Sequence, residues 1–151
     1  MIERTLVIFK PNLVENLEVE TATRLMEKLE YLSIQSFPLR QLSVDFFKEF
    51  YQHVPEPDCT RHATFCASGR VKILIFEGEE IIQRVRQAIG DTDSSQASFR
   101  TLRGFFYDRY HPENPYDNFI HASSSQADFE REMKLLATVM PEIAHLVPEP
   151  F

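Results

Sequence analysis

The chain has 151 residues, 43% of them hydrophobic and 12% aromatic, which suits one compact domain over 1–151 and is too short for two ordinary ones. Its formal net charge of -7 repels a phosphate backbone on average, so no nucleic-acid partner is expected. No apolar run approaches the ~18–20 residues of a membrane span, and Glu3, Arg4 and Lys10 around the first apolar run do not read as a signal peptide, so the expectation is a whole chain with no membrane partner.

Thr5–Phe9 is a continuous apolar run stopped by Lys10-Pro11 and reads as a buried strand. Leu17–Leu32 carries Val19, Ala22, Leu25, Met26, Leu29 and Leu32 as a helical stripe. Ser33–Leu42 alternates loosely and reads as a second strand, with Pro38 marking an edge or a bulge. Ser43 is placed to cap a helix through Phe46, Phe47, Phe50 and Tyr51, which Pro55 and Pro57 end; a short helix over Thr60–Ala67 follows.

Val71–Phe76 is the clearest strand, and Glu79–Ile89 is a helix with Gly90 at its C-terminal boundary. Asp91–Arg100 reads as loop, Thr101–Phe106 as a single turn, and Arg109–Asp117, with Pro112, Asn114 and Pro115, as another loop. Asn118–His121 reads as the fourth strand and Gln126–Thr138 as the last long helix, with Pro141 and Pro148 marking a tail. Strands that alternate with helices in this order fit an α+β, ferredoxin-like (split βαβ) domain, with helices expected over one face of a four-stranded antiparallel sheet.

Cys59 and Cys66 lie about two helical turns, or roughly 10 Å, apart, too far for a disulfide without backbone movement. They also lack metal-type spacing, so both read as reduced thiols of a cytoplasmic protein.

The four glycines, Gly69, Gly78, Gly90 and Gly104, make neither a Walker loop nor a GxGxxG turn. A bound nucleotide must therefore be held by side chains. Lys10 at the exit of the first strand, Arg86 in the helix before Gly90, Thr92 just beyond it, and Arg103 are the candidates; an arginine fork suits phosphate oxygens and a lysine supplies a point charge. Taken singly, each reads first as a solvated surface charge, and only their convergence on one site would favour phosphate.

His121 is sharper. It closes a strand and precedes Ser123, Ser124 and Ser125, and Ser125-x-x-Asp128 is a capping-box-like pattern. A histidine beside a helix N-terminus feels the positive dipole end, which favours a neutral, nucleophilic ring, and nearby N–H groups suit a phosphorylated one. Glu132, further along the helix, could accept from the second ring nitrogen and fix the tautomer; by spacing alone a helix-surface pair with Arg131 or Lys134 is the better reading.

Taken in order, "ERTLVIFKPN", "EFYQHV", "IGDT", "TLRGFF" and "NFIHASSS" followed by "ADFERE" resemble the successive segments of nucleoside diphosphate kinase over nearly the whole chain. The resemblance implies the ferredoxin-like fold and ping-pong transfer of a γ-phosphoryl group from a nucleoside triphosphate to a nucleoside diphosphate through a phosphohistidine. It implies His121 as nucleophile, Glu132 as its orienting partner and Ser123 near the transferred group. Lys10, Tyr51, Arg103 and Asn118 are implied around the γ-phosphate and sugar, Arg86 and Thr92 at the β-phosphate. Mg2+ bridging the phosphates is the implied cofactor, and no protein metal site is expected. A covalent intermediate lets one site serve donor and acceptor in turn. The other reading kept open is a non-catalytic nucleotide-binding or regulatory domain on the same fold.

The departures lie at the nucleotide's outer end. The family's Arg-Pro-Phe-Phe, in which the arginine helps hold phosphate and the first phenylalanine stacks on the base, is replaced by the slightly shorter Val54–His62, with no aromatic platform. Arg61 is the candidate to take over the phosphate contact from a shifted position. Affinity is then expected to rest on the triphosphate and to differ little among bases. An insertion within Tyr107–Asp117 precedes the histidine strand, and Phe99-Arg100 stands where the family has Pro-Gly. These changes argue for a dimer-based homo-oligomer in place of the family's hexamer.

Overall fold

The computed structural model describes residues 1–148. The elements run β1 (Ile2–Phe9), α1 (Pro11–Val14), α2 (Val19–Met26), β2 (Ser33–Ser36), α3 (Val44–Phe50), α4 (Asp58–Cys66), β3 (Lys72–Glu79), α5 (Ile81–Ile89), α6 (Leu102–Tyr110), β4 (Ile120–Ala122) and α7 (Gln126–Val139). Short 3-10 turns occupy Ser94–Gln96 and Pro141–Leu146. Glu149, Pro150 and Phe151 lie outside the described residues.

The sheet order is β2-β3-β1-β4, and all three pairings are antiparallel. This is the ferredoxin-like α+β arrangement, and β2 is an edge strand, as Pro38 indicates; Pro38 itself lies beyond the strand. The helices, however, cover both faces of the sheet, not one. Leu6 and Ile8 of β1 pack with Phe46, Phe47 and Phe50 of α3 and Phe129, Met133 and Leu136 of α7. Val7 and Phe9, pointing the other way, pack with Ala22 and Met26 of α2, Val85 and Ile89 of α5 and Phe106 of α6. Double coverage is why β1 is apolar without alternation: every position from Thr5 to Phe9 faces protein.

Several boundaries differ from the periodicity: β2, read over Ser33–Leu42, ends at Ser36, and three further differences bear on the site or the core. The stripe read as one helix over Leu17–Leu32 is helical only over Val19–Met26, because the chain must turn into β2; Leu32 already donates its N–H to Glu77 in β3. The turn read at Thr101–Phe106 is instead the nine-residue α6. Thr101 caps it by accepting from Gly104 N–H at 3.3 Å, and His111 ends it in the left-handed region at φ 46°. Its glycine is required by packing: a Cβ on Gly104 would lie 2.0 Å from the Ser98 carbonyl oxygen. Finally, the fourth strand begins at Ile120 instead of Asn118. Phe119 has φ 75°, and Ile120 N–H donates back to Asn118 C=O at 2.9 Å, a tight three-residue turn that removes Asn118 from the ladder.

Among the described residues no helix is long and apolar enough to cross a membrane. Cys59 and Cys66 are both free and buried in α4.

Candidate active site

The register of β4 on β1 sets His121 opposite Ile8. Its side chain therefore projects to the α3/α7 face, where its ring meets Phe50 edge-on at 4.9 Å and Tyr51 at 5.9 Å. Ser125 caps α7 by accepting from Asp128 N–H at 3.1 Å, and the helix carries Glu132 back over the strand end. Glu132 Oε2 accepts from His121 Nε2–H at 2.8 Å, and its Oε1 accepts from the Ser123 hydroxyl at 2.7 Å. Both oxygens of a nearly buried carboxylate are thus engaged, and the ring is held with Nδ1 carrying the lone pair.

Ser123 does not stand where the resemblance implies. It is fully buried; its Oγ accepts from Leu6 N–H at 3.1 Å while donating to Glu132. The strand's alternation points it under the helix, so it braces Glu132 and does not line the cleft. Ser124 lines the cleft instead, bonded to Asp128.

The cleft beside His121 encloses about 820 Å³ and is lined by Lys10, Tyr51, Arg61, Arg86, Thr92, Arg103, Asn118 and Glu132 among others. All the expected site residues except Ser123 thus converge from separate elements. Four cations, Lys10, Arg61, Arg86 and Arg103, line it together with four carboxylates, Asp58, Glu113, Asp128 and Glu132, so the cleft is formally balanced within a chain of net charge -7.

Lys10 follows β1 directly and is buried, and Nζ donates to Asn118 Oδ1 at 2.7 Å and to His62 Nε2 at 3.1 Å. Burial lowers its pKa to about 8. The turn at Phe119 is what brings Asn118 to it, and Asn118 Nδ2–H donates in turn to Thr92 C=O at 2.8 Å. Arg103, on α6, donates to Gly90 C=O at 2.8 Å and twice to Ile120 C=O, at 2.8 and 3.3 Å. Burial and then the like charge of Arg86 bring its pKa down to about 10. Tyr51 is buried against Phe47 and His62, and burial raises its phenol well above the usual value.

Arg61 reaches the cleft from α4, but its guanidinium donates to Asp117 Oδ1 at 2.8 Å. Asp117 also faces His62 Nδ1 at 3.6 Å. Burial works against the Asp117 carboxylate, but the contacts with His62 and Arg61 outweigh it and hold its pKa below the ordinary value. His62 is lowered to about 4, by burial first and the Lys10 charge second, so its ring is neutral and accepts from Lys10. His62 and Asp117 were not legible as site residues: each reads as an ordinary helix or loop polar residue until α4 and the insertion meet.

A ferredoxin-like α+β domain with an oriented histidine at the edge of a cation-lined cleft has the features of a phosphoryl-transfer protein. The comparisons make the class particular. Residues 3–139 match the family model for nucleoside diphosphate kinase. A nucleoside diphosphate kinase of Streptomyces avermitilis is 35% identical over 137 residues, covering 89% of this chain and 96% of the relative. One of Methanocaldococcus jannaschii is 32% identical over 138 residues, covering 89% and 93%. Among solved structures, the Aquifex aeolicus nucleoside diphosphate kinase superposes with a TM-score of 0.73 at 30% identity, covering 90% of this chain and 95% of its own. That of Halobacterium salinarum, in complex with CDP, gives 0.73 at 26% identity, covering 89% and 87%. The chain belongs to the nucleoside diphosphate kinase family.

Proposed function

We propose that this protein moves the γ-phosphoryl group of a nucleoside triphosphate, ATP foremost, to a nucleoside diphosphate by a ping-pong mechanism through phospho-His121. The observation that carries the reading is the 2.8 Å bond from His121 Nε2 to Glu132, which leaves Nδ1 as the nucleophile of a residue that lines the cleft with Lys10, Arg86 and Arg103. In the first half, the Nδ1 lone pair forms a bond to the γ-phosphorus, and the bond to the bridging oxygen breaks, releasing the diphosphate. In the second, a terminal β-phosphate oxygen of the acceptor attacks the phosphorus and the P–N bond breaks. Glu132 opposes the positive charge that builds on the ring in each direction.

Lys10, Asn118 and Arg103 suit the γ-phosphoryl oxygens, being buried donors already fixed by neighbours, so little reorganisation accompanies the transfer. Arg86 and Thr92 suit the β-phosphate, with Tyr51 beside the histidine. A divalent cation is expected of a nucleotide kinase, and we infer Mg2+. Asp58, Glu113 and Asp128 line the cleft as hard oxygen donors, and Mg2+ needs only one or two such groups beside the phosphates. When bound, it neutralises phosphate charge.

We also propose one domain over 1–151, a dimer-based homo-oligomer and a cytoplasmic location. The open β2 edge and the exposed Phe99 and Phe105 favour self-association, and two free thiols favour a reducing compartment.

Incubation with γ-labelled ATP and magnesium tests the mechanism. An acid-labile label on the wild type, absent from His121→Ala, is expected. No label on the wild type would overturn it and leave the non-catalytic binding domain.

A further inference from the structure

The aromatic platform missing from Val54–His62 has a counterpart in the insertion, which lines the same cleft. Asp58, in α4, lines the cleft without offering a flat apolar face. Tyr116, in the insertion, lines the same cleft and is 51% exposed. It is the one cleft-lining residue among the large hydrophobic side chains left exposed in the described residues, and its ring stacks on no other aromatic there.

The backbone beneath that ring is tied down on both sides. Ser94, almost wholly buried, donates to Pro115 C=O through its N–H at 3.0 Å and its hydroxyl at 2.7 Å. Tyr116 N–H donates to Asn114 Oδ1 at 2.9 Å, and Asp117 N–H to Asn114 C=O at 3.0 Å. Asp117 then accepts from Arg61 at 2.8 Å through its carboxylate and from Asn12 at 3.0 Å through its carbonyl. An aromatic ring held in the open on an anchored backbone loses little freedom when a ligand covers it.

Depth in the cleft sets the ligand's direction. The phosphate-type donors Lys10, Arg103 and Asn118 are all buried, at 3%, 5% and 2% exposure, while Tyr116 stands at the open end. A ligand anionic at one end and flat and heteroaromatic at the other fits that gradient, and the cavity is of a size that holds one such molecule.

We propose that Tyr116 is the base-stacking residue of this protein, so that the insertion supplies the platform that α4 lacks. The inference rests on the phosphotransfer reading for the identity of the ligand as a nucleotide. A tyrosine face accepts every base, so the residue strengthens nucleotide binding without selecting sharply among bases.

Calorimetric titration with ADP and with inorganic pyrophosphate, on the wild type, Tyr116→Ala and Tyr116→Phe, tests it. Tyr116→Ala should weaken ADP binding by about tenfold or more, Tyr116→Phe should retain wild-type affinity, and pyrophosphate should bind all three alike. ADP affinity of Tyr116→Ala within about twofold of wild type overturns the proposal. So does a parallel loss of pyrophosphate binding, which would mean that the ring holds the loop and not the base. Incubation of the wild type with γ-labelled ATP and magnesium judges the phosphotransfer reading separately. Absence of label from the wild type would count against phosphotransfer, while the ADP titration still judges Tyr116.

Discussion

The two walls of the cleft are built on opposite principles. The floor, where β1, β4 and α7 meet, is dry: Glu132, Ser123, Asn118 and Lys10 are buried, and each is bonded to a neighbour. The outer wall, made by α4 and the insertion, is wet: Arg61 and Asp117 meet at the surface and Tyr116 stands open. Charges on the floor act in low dielectric and are expensive to misplace, whereas those on the outer wall are screened. The difference teaches where this chain could depart from its family without losing the chemistry. It departs at the wet wall, while the floor keeps the histidine, the carboxylate, the lysine and the asparagine that the resemblance implies.

Breaking the floor should have the largest effects. His121→Ala removes the nucleophile, and turnover should fall by at least about a thousandfold in a coupled assay. Glu132→Gln keeps the shape but loses the carboxylate charge, so kcat should fall by roughly ten- to a hundredfold while KM moves little. A change mainly in KM would place Glu132 in ligand binding instead.

Lys10 links the chemistry to stability. Its folded pKa of about 8 lies below the ordinary lysine value of 10.5, so between those values the unfolded chain binds more protons than the folded one. Burial of the charged lysine therefore destabilises the ligand-free protein at neutral pH, and stability recovers as pH rises from about 8 towards 10.5. Lys10→Met is expected to melt higher than the wild type at pH 7 yet transfer phosphate poorly, with the gap in Tm closing in alkali. Activity should run the other way, with the wild-type kcat/KM declining as pH passes about 8, because the unprotonated amine no longer offsets phosphate charge. Asp117 supports the Lys10 charge, so Asp117→Asn should move that alkaline limb to lower pH. An unmoved limb would disconnect the insertion from the lysine.

Arg61, on the outer wall, should yield the smallest change. Arg61 is partly exposed and already paired with Asp117, and such pairs contribute about 0–1 kcal/mol. Arg61→Ala should raise KM by no more than about fivefold and leave kcat alone. A loss as large as that of Glu132→Gln would move Arg61 into the set that grips phosphate.

How much was legible follows the same division. β3, α5 and α7 were readable because an amphipathic stripe or an apolar run is a local signal, and the Ser125 cap was readable from four residues. α6 was not: Leu-Arg-Gly-Phe-Phe-Tyr-Asp-Arg-Tyr has no clean stripe, since Arg103 and Gly104 are buried for reasons of function and packing. The role of Ser123 was misplaced for want of one fact, the strand register that turns its hydroxyl beneath α7.

By itself the sequence determined the alternation of strands and helices, the histidine at a strand end and the residues that resemble a kinase family in order. These depend on neighbours a few residues apart, where backbone periodicity and capping chemistry leave their mark. Only the tertiary structure decided that helices cover both faces of the sheet, that Ser123 braces Glu132, that Asp117 reaches across to Arg61 and His62, and that Tyr116 opens onto the cleft. Those facts bring together elements that no local period relates, whether nine residues apart, as Ser123 and Glu132 are, or 56, as Arg61 and Asp117 are, and they are set by the packing of the whole chain.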